Sequence, residues 1–252
     1  MTTTVPTIAV NSTSVEEVYA TTNQLTAMSI DADQKVLYVS EAAPGEIRAI
    51  YYKDELSTET MYDDIQNVSS LAADYSGNIY WSVSEGGKDE GAITRAKADL
   101  ADHNSLTMIT EAVDSAAALC YKLEFLFFAG EDQNDGGNAS SSENSAIYYK
   151  HVPSDGEVSS EVKKISNAFE NVVSIGTFDN SFLYIADAAK GFFAIEVMPD
   201  DEFSEPRPIE LTVNEQNAPK PTAMVIFTLN AVWGYSAAVW TASIAIAALV
   251  LI

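Results

Sequence analysis

Four stretches of this chain repeat one pattern, and that repeat limits the fold more than any other feature. Residues 25–31 then 35–39 form the first unit, and 68–74 then 77–81 the second. The third is 116–121 then 124–128, and the fourth 172–178 then 181–187. Met28, Leu71, Leu119 and Ile175 sit centrally in the first run of each unit, 43 to 56 residues apart. An aromatic follows each by eight to ten positions: Tyr38, Tyr80, Phe127 and Tyr184. Short apolar runs around polar turns, such as the one after Asp31 or Asp74, read as buried strands joined by hairpins. A third strand is expected at 46–52, 92–96, 146–149 and 192–197, and a more polar fourth at 60–65, 106–110, 162–166 and 209–213. Four strands in about 45 residues, repeated, is the arithmetic of a propeller blade.

The signature within each unit is a hairpin, an aliphatic–Tyr–aliphatic or Trp run, a turn, then Gly-x-Ile. Its best examples are Gly77-Asn78-Ile79-Tyr80-Trp81 and the run Phe182 to Asp187, with Gly45-Glu46-Ile47 and Gly91-Ala92-Ile93 opening third strands. Over residues 15–215 this resembles the NHL, YWTD and SMP-30/gluconolactonase-like group of propellers. The resemblance implies an all-β, β-propeller-like head of four to six four-stranded blades. Such families usually close with six, and four complete units are present here. The SMP-30-like enzymes hold a divalent cation at the channel with Glu, Asn and Asp ligands, an oxygen set suited to Ca²⁺ or Mg²⁺. The positional counterparts here are Glu41, Glu85, Glu131 and Asp187, each just after a second strand. No asparagine matches that ligand pattern, so no catalytic residue is carried over. The competing explanation is that acids are abundant, with 37 Asp and Glu in the chain.

No charged residue follows Lys220. A bilayer core needs about 20 apolar helical residues, and 231–252 supplies them. Trp233, Tyr235 and Trp240 suit an interfacial belt, while Gly234, Ser236, Ala237 and Ala238 suit close helix packing. The expected division is an acidic propeller-like domain at 1–219 and an apolar segment at 220–252 forming a single transmembrane helix. Two alternatives stand beside it: a buried element of the head, and a signal for lipid attachment. The first alternative has its own support. Residues 222–227 and 231–234 repeat the blade spacing, with Met224 nine residues before Trp233. Residues 15–19 could then supply an outer strand and close the ring. In a compromise, 222–227 is a strand and the span starts near Ala231.

A net charge of -24 repels nucleic-acid phosphates and anionic head groups, so no nucleic-acid partner is expected. Such a surface suits cations, basic protein surfaces or other membrane subunits. The lone cysteine, Cys120, excludes an intrachain disulfide and reads as a small buried hydrophobe. A catalytic thiol needs a histidine nearby, and His103 and His151 lie in polar stretches. Residues 131–143 read as a polar insertion between strands. The first residues carry neither a basic region nor a long apolar run, so no signal peptide is expected there. Asn11, Asn67 and Asn138 head glycosylation triplets, and with the acidity and the anchor they favour an extracellular or lumenal head. Phosphate-binding glycine loops, Gly-x-Ser-x-Gly elbows and metal-spaced His/Cys sets are absent. The expected function is therefore a membrane-anchored, non-catalytic binding or scaffold module within a larger membrane assembly, with no obligatory cofactor. The alternative is a Ca²⁺-dependent hydrolase of the gluconolactonase-like kind.

Overall fold

The computed structural model describes residues 23–31, 33–52, 56–74, 76–83, 92–97, 107–110, 118–131, 145–177, 181–198, 202–209, 225–228 and 244–247. All regular structure among them is β. Blade 1 is β1 (Leu25–Asp31), β2 (Val36–Glu41), β3 (Glu46–Tyr51) and β4 (Ser57–Tyr62). Blade 2 is β5 (Val68–Ala73), β6 (Asn78–Val83), β7 (Ile93–Lys97) and β8 (Thr107–Thr110). Blade 3 is β9 (Ala118–Lys122), β10 (Phe125–Glu131), β11 (Ser145–His151) and β12 (Lys163–Phe169). Blade 4 is β13 (Val172–Thr177), β14 (Phe182–Asp187), β15 (Gly191–Met198), β16 (Glu202–Phe203) and β17 (Arg207–Ile209). Each blade is an antiparallel meander, with strands paired in chain order; in blade 4 both β16 and β17 pair with β15. First strands lie side by side around the axis, β1 by β5, β5 by β9 and β9 by β13. The described residues thus form four propeller blades, matching the four complete units of the repeat.

Alternation within the second strands explains the stacking. Side chains of a strand point to opposite faces in turn. In β6, Ile79, Trp81 and Val83 enter the core shared with blade 1, and Tyr80 enters the core shared with blade 3. In β10, Leu126 and Phe128 face blade 2, while Phe127 and Ala129 face blade 4. Such strands read as unbroken apolar runs because both faces are covered. Every residue of β6 is buried. The aromatic of each unit also shares a core with the central apolar residue of the next. Tyr38 packs with Leu71, Tyr80 with Leu119, and Phe127 with Ile175.

The outer strands depart from expectation. β4 ends at Tyr62 rather than running to 65, because Asp64 and Asn67 adopt the left-handed region at φ 57°, which a strand cannot contain. Tyr62 is held by its hydroxyl donating to the Lys97 carbonyl at 2.7 Å and by its ring lying 5.3 Å from Trp81. In blade 4 the described outer strand is β17 at 207–209, and 210–213 of the expected strand lie outside the described residues. The fourth strands of blades 2 and 3 fall where expected within a few residues.

The transmembrane helix expected within 220–252 is not what the described part of that segment forms. Val225–Thr228 (β18) and Ile244–Ala247 (β19) pair as an antiparallel ladder, from Val225 opposite Ala247 to Thr228 opposite Ile244. Isoleucine alternating with alanine has the period of a strand, and β-branched residues favour one. β18 lies beside β13, so the segment meets the head. No helix among the described residues is long and apolar enough to cross a membrane. Gly234, Ser236, Ala237 and Ala238, the proposed packing face, lie outside the described residues.

Phe128 is fully buried between blades 2 and 3 and stacks on Tyr148 at 5.7 Å. Phe128→Ala should cost about 3–5 kcal/mol in chemical denaturation. A loss below about 1 kcal/mol would refute its place in the core.

Candidate functional site

Two of the four acids nominated as a cation set are described with their side chains, and each fastens its own blade. Asp187 ends β14 and is fully buried. Its Oδ1 accepts the backbone N–H of Ala189 at 2.8 Å and of Lys190 at 2.9 Å. Its Oδ2 accepts those of Glu170 at 2.7 Å and Asn171 at 3.2 Å. One carboxylate therefore pins the turn after β14 to the loop that enters β13. Burial pushes its pKa up, and the four N–H bonds outweigh that, leaving it below the ordinary carboxylate value. Glu41 stands at the equivalent place, the end of β2, and accepts the side-chain N–H of Asn23 just before β1. The backbone repeats the device. Ala42 N–H donates to the Gln24 carbonyl at 2.9 Å, and Ala188 N–H to that of Asn171 at 2.8 Å.

The two turns share a sequence logic, Glu41-Ala-Ala-Pro-Gly45 and Asp187-Ala-Ala-Lys-Gly191. Gly45 and Gly191 have φ of 92° and 99°, a region L side chains avoid. A Cβ at Gly45 would also lie 3.3 Å from the Ile65 carbonyl oxygen. As cation ligands these acids fit poorly. The lone pairs of Asp187 already face four N–H groups. Glu85 and the side chain of Glu131 lie outside the described residues, and no group of three or more His, Cys, Asp or Glu among the described residues could hold a metal.

A second constellation joins blades 2 and 3, and sequence reasoning missed it as a network. Asp74 Oδ1 accepts the N–H groups of Ser76 at 2.8 Å and Asn78 at 2.9 Å. Its Oδ2 accepts Asn78 Nδ2 at 2.6 Å and the Tyr80 hydroxyl at 3.0 Å. Tyr80 stacks on Tyr121 at 5.0 Å, whose hydroxyl donates to the Val152 carbonyl at 2.9 Å. Burial first, then the Asp74 charge, pushes the Tyr80 pKa up, so it stays a donor. The legible signal was the Asp-x-Ser-Gly-Asn turn, since an aspartate binding the backbone two residues on makes such turns. In blade 1, Asp31 Oδ1 repeats the turn with Asp33 and Gln34 N–H at 3.1 and 3.0 Å.

The remaining candidates are simpler. Burial pushes the Cys120 thiol up to about 11; it lies beside Thr177 and is partly rather than fully buried, packed against the core between blades 3 and 4. His151 lies 3.5 Å from Glu124 on the surface; His103 lies outside the described residues. Asn67 is exposed in the loop between β4 and β5, whereas Asn11 and Asn138 lie outside the described residues, as does the insertion at 132–143. Two cavities open on outer surfaces. One of about 320 Å³ is lined by Phe125, Tyr149, His151, Glu161 and Lys163 among others. The other, about 210 Å³, lies where Asn78, Arg95 and Lys97 meet Ser154 and Asp155.

The Asp187 clasp carries a pH signature. Its folded pKa lies below the unfolded value of 3.8, so its stabilisation is complete above about pH 5 and is lost as pH falls through the folded pKa. Asp187→Asn, which turns an amide against the N–H groups, should lose about 1.5–3 kcal/mol at pH 7. That difference should shrink toward pH 3; a gap constant from pH 7 to 3 would contradict the clasp.

No family model and no curated protein matches the sequence. Solved structures do. The chain is similar to a gluconolactonase from Xanthomonas campestris, with 13% identity and a TM-score of 0.56, covering 82% of this chain and 68% of that one. It is similar to a luciferin-regenerating enzyme, with 14% identity and a TM-score of 0.54, covering 79% of this chain and 64% of that one. It is also similar to an auxiliary nutrient binding protein from Bacteroides thetaiotaomicron, with 12% identity and a TM-score of 0.52, covering 73% of this chain and 41% of that one. The chain thus spans less than two thirds of the latter two. At these identities the likeness is one of fold, and it agrees with the propeller group named from the repeat.

Proposed function

We propose that this chain is a non-catalytic propeller module that binds a protein partner with a basic surface. The observation that carries the reading is the use of Asp187. The acid placed where a channel cation would be held is fully engaged by four backbone N–H groups. Acids committed to fastening blades are not free to ligate or to catalyse. What remains for recognition is the surface, and a charge of -24 gives it a long-range pull on basic partners. A fold neighbour named as a nutrient binding protein supports a binding role for this architecture. The exposed acceptor Asn67 supports an extracellular or lumenal head. Membrane anchoring rests on the uncharged segment 221–252, whose strand Ile244–Ala247 favours the head instead, and anchoring is not part of the function proposed.

The second reading, a Ca²⁺-dependent hydrolase, is favoured by the gluconolactonase and luciferin-regenerating enzyme likenesses and by the matching places of Glu41 and Asp187. One pair of measurements separates the two. The module should bind a lysine-rich peptide at 0.05 M salt and release it by 1 M, where the screening length falls to about 3 Å. It should show no thermal shift with millimolar Ca²⁺ and hydrolyse no lactone. A Ca²⁺-dependent rise of roughly 5 °C or more, with lactone hydrolysis lost in Glu41→Gln, would establish the hydrolase.

A further inference from the structure

Each first strand directs its central apolar residue toward the preceding blade. Leu71 enters the core with blade 1, Leu119 the core with blade 2, and Ile175 the core with blade 3. All three are buried, at 4%, 5% and 6% exposure. Met28 holds the same place in blade 1, which has no earlier blade among the described residues, and it is 45% exposed, with Ile30 on the same face at 52%. Two such side chains on an inner strand are a seat that no described blade fills. The opposite end of the array shows the complementary face. Tyr184 and Ala186 turn away from blade 3 and gather Phe182, Phe192, Ala194 and Ile209, as Tyr38 and Tyr80 turn toward the blade that follows theirs.

We infer that the C-terminal segment carrying β18 and β19 is the inner part of a fifth blade, and that the Met28–Ile30 strip is the seat for its far face. Three observations name this occupant. β18 lies beside β13, the first strand of blade 4. β18 and β19 pair antiparallel, as first and second strands do in every other blade. Met224 follows Ile175 by 49 residues, within the spacing of the other units. A blade wedged there meets blade 4 on one side and blade 1 on the other, and the ring closes within one chain. The apolar character of the segment then follows from burial between two blades, since strands covered on both faces are apolar throughout. This stands apart from the partner-binding reading and survives its failure.

Methionine oxidation tests the seat without any substitution, because peroxide reaches an exposed thioether and spares a packed one. In full-length protein, dilute and without detergent, Met28 should oxidise at least about tenfold more slowly than in the unfolded chain, alongside the buried Met61, which is 1% exposed. Oxidation of Met28 at the unfolded rate would overturn the inference. So would protection that appears only with a dimer or only with detergent, which would name a second copy or lipid as the cover. A variant adds the partner half. Ile30→Lys should speed amide exchange in Val225–Thr228 and Ile244–Ala247 while β6 keeps its protection; unchanged exchange in both tail strands would also overturn it.

Discussion

The stacking register holds this molecule together: in blades 1 to 3 the aromatic on the second strand shares a core with the central apolar residue of the next blade's first strand. Tyr38 shares one with Leu71, Tyr80 with Leu119 and Phe127 with Ile175. A twisted sheet buried on both faces needs a neighbour on each side, and each fully buried large side chain contributes about 1.5–3 kcal/mol. The blades therefore cannot be treated as independent hairpins. Each supplies half of two cores, and removing one exposes the faces of both neighbours.

Polar groups solve what the apolar register leaves over. A first strand has an unpaired edge at the axis, and side chains of the adjacent blade cover part of it. Ser70 Oγ accepts the Leu119 N–H at 2.9 Å, and Cys120 lies against Thr177. At the ends of the second strands, Glu41 and Asp187 tie the entering loop to the blade. Between blades 2 and 3, buried Lys150 donates to the Ile109 carbonyl, and burial pulls its pKa down. These contacts place acids and a lysine where a functional reading would look first, and they give each a structural occupation.

Much of this was legible in the sequence because both-face burial produces unbroken apolar runs at a fixed period. The first three strands of every unit fall where the repeat puts them. Outer strands were harder to place, since one edge faces solvent and the apolar signal fades; β4 is bounded by the left-handed turn at Asp64 rather than by hydrophobicity. The acids of the cation set are ambiguous for a related reason. An acid after a second strand recurs in the sequence whether it ligates a metal or clasps a turn, and only the direction of the surrounding N–H groups tells the two apart. The segment after Lys220 posed the sharpest ambiguity. A strand buried between two sheets and a helix buried in lipid both lack charge, and composition alone cannot separate them. The blade spacing of 222–227 and 231–234 carried the strand reading; Val225–Thr228 is a strand, its partner is Ile244–Ala247, and 231–234 lie outside the described residues.

A double-mutant cycle on Phe127 and Ile175 measures the register most directly. Phe127→Leu and Ile175→Ala each remove part of one shared core, so their costs should be non-additive, with a coupling energy of about 0.5–3 kcal/mol. Phe127→Leu with Leu71→Ala, which lie in different cores, should add within about 0.5 kcal/mol. Additivity in the first pair, or coupling of equal size in the second, would contradict blades stacked in this register.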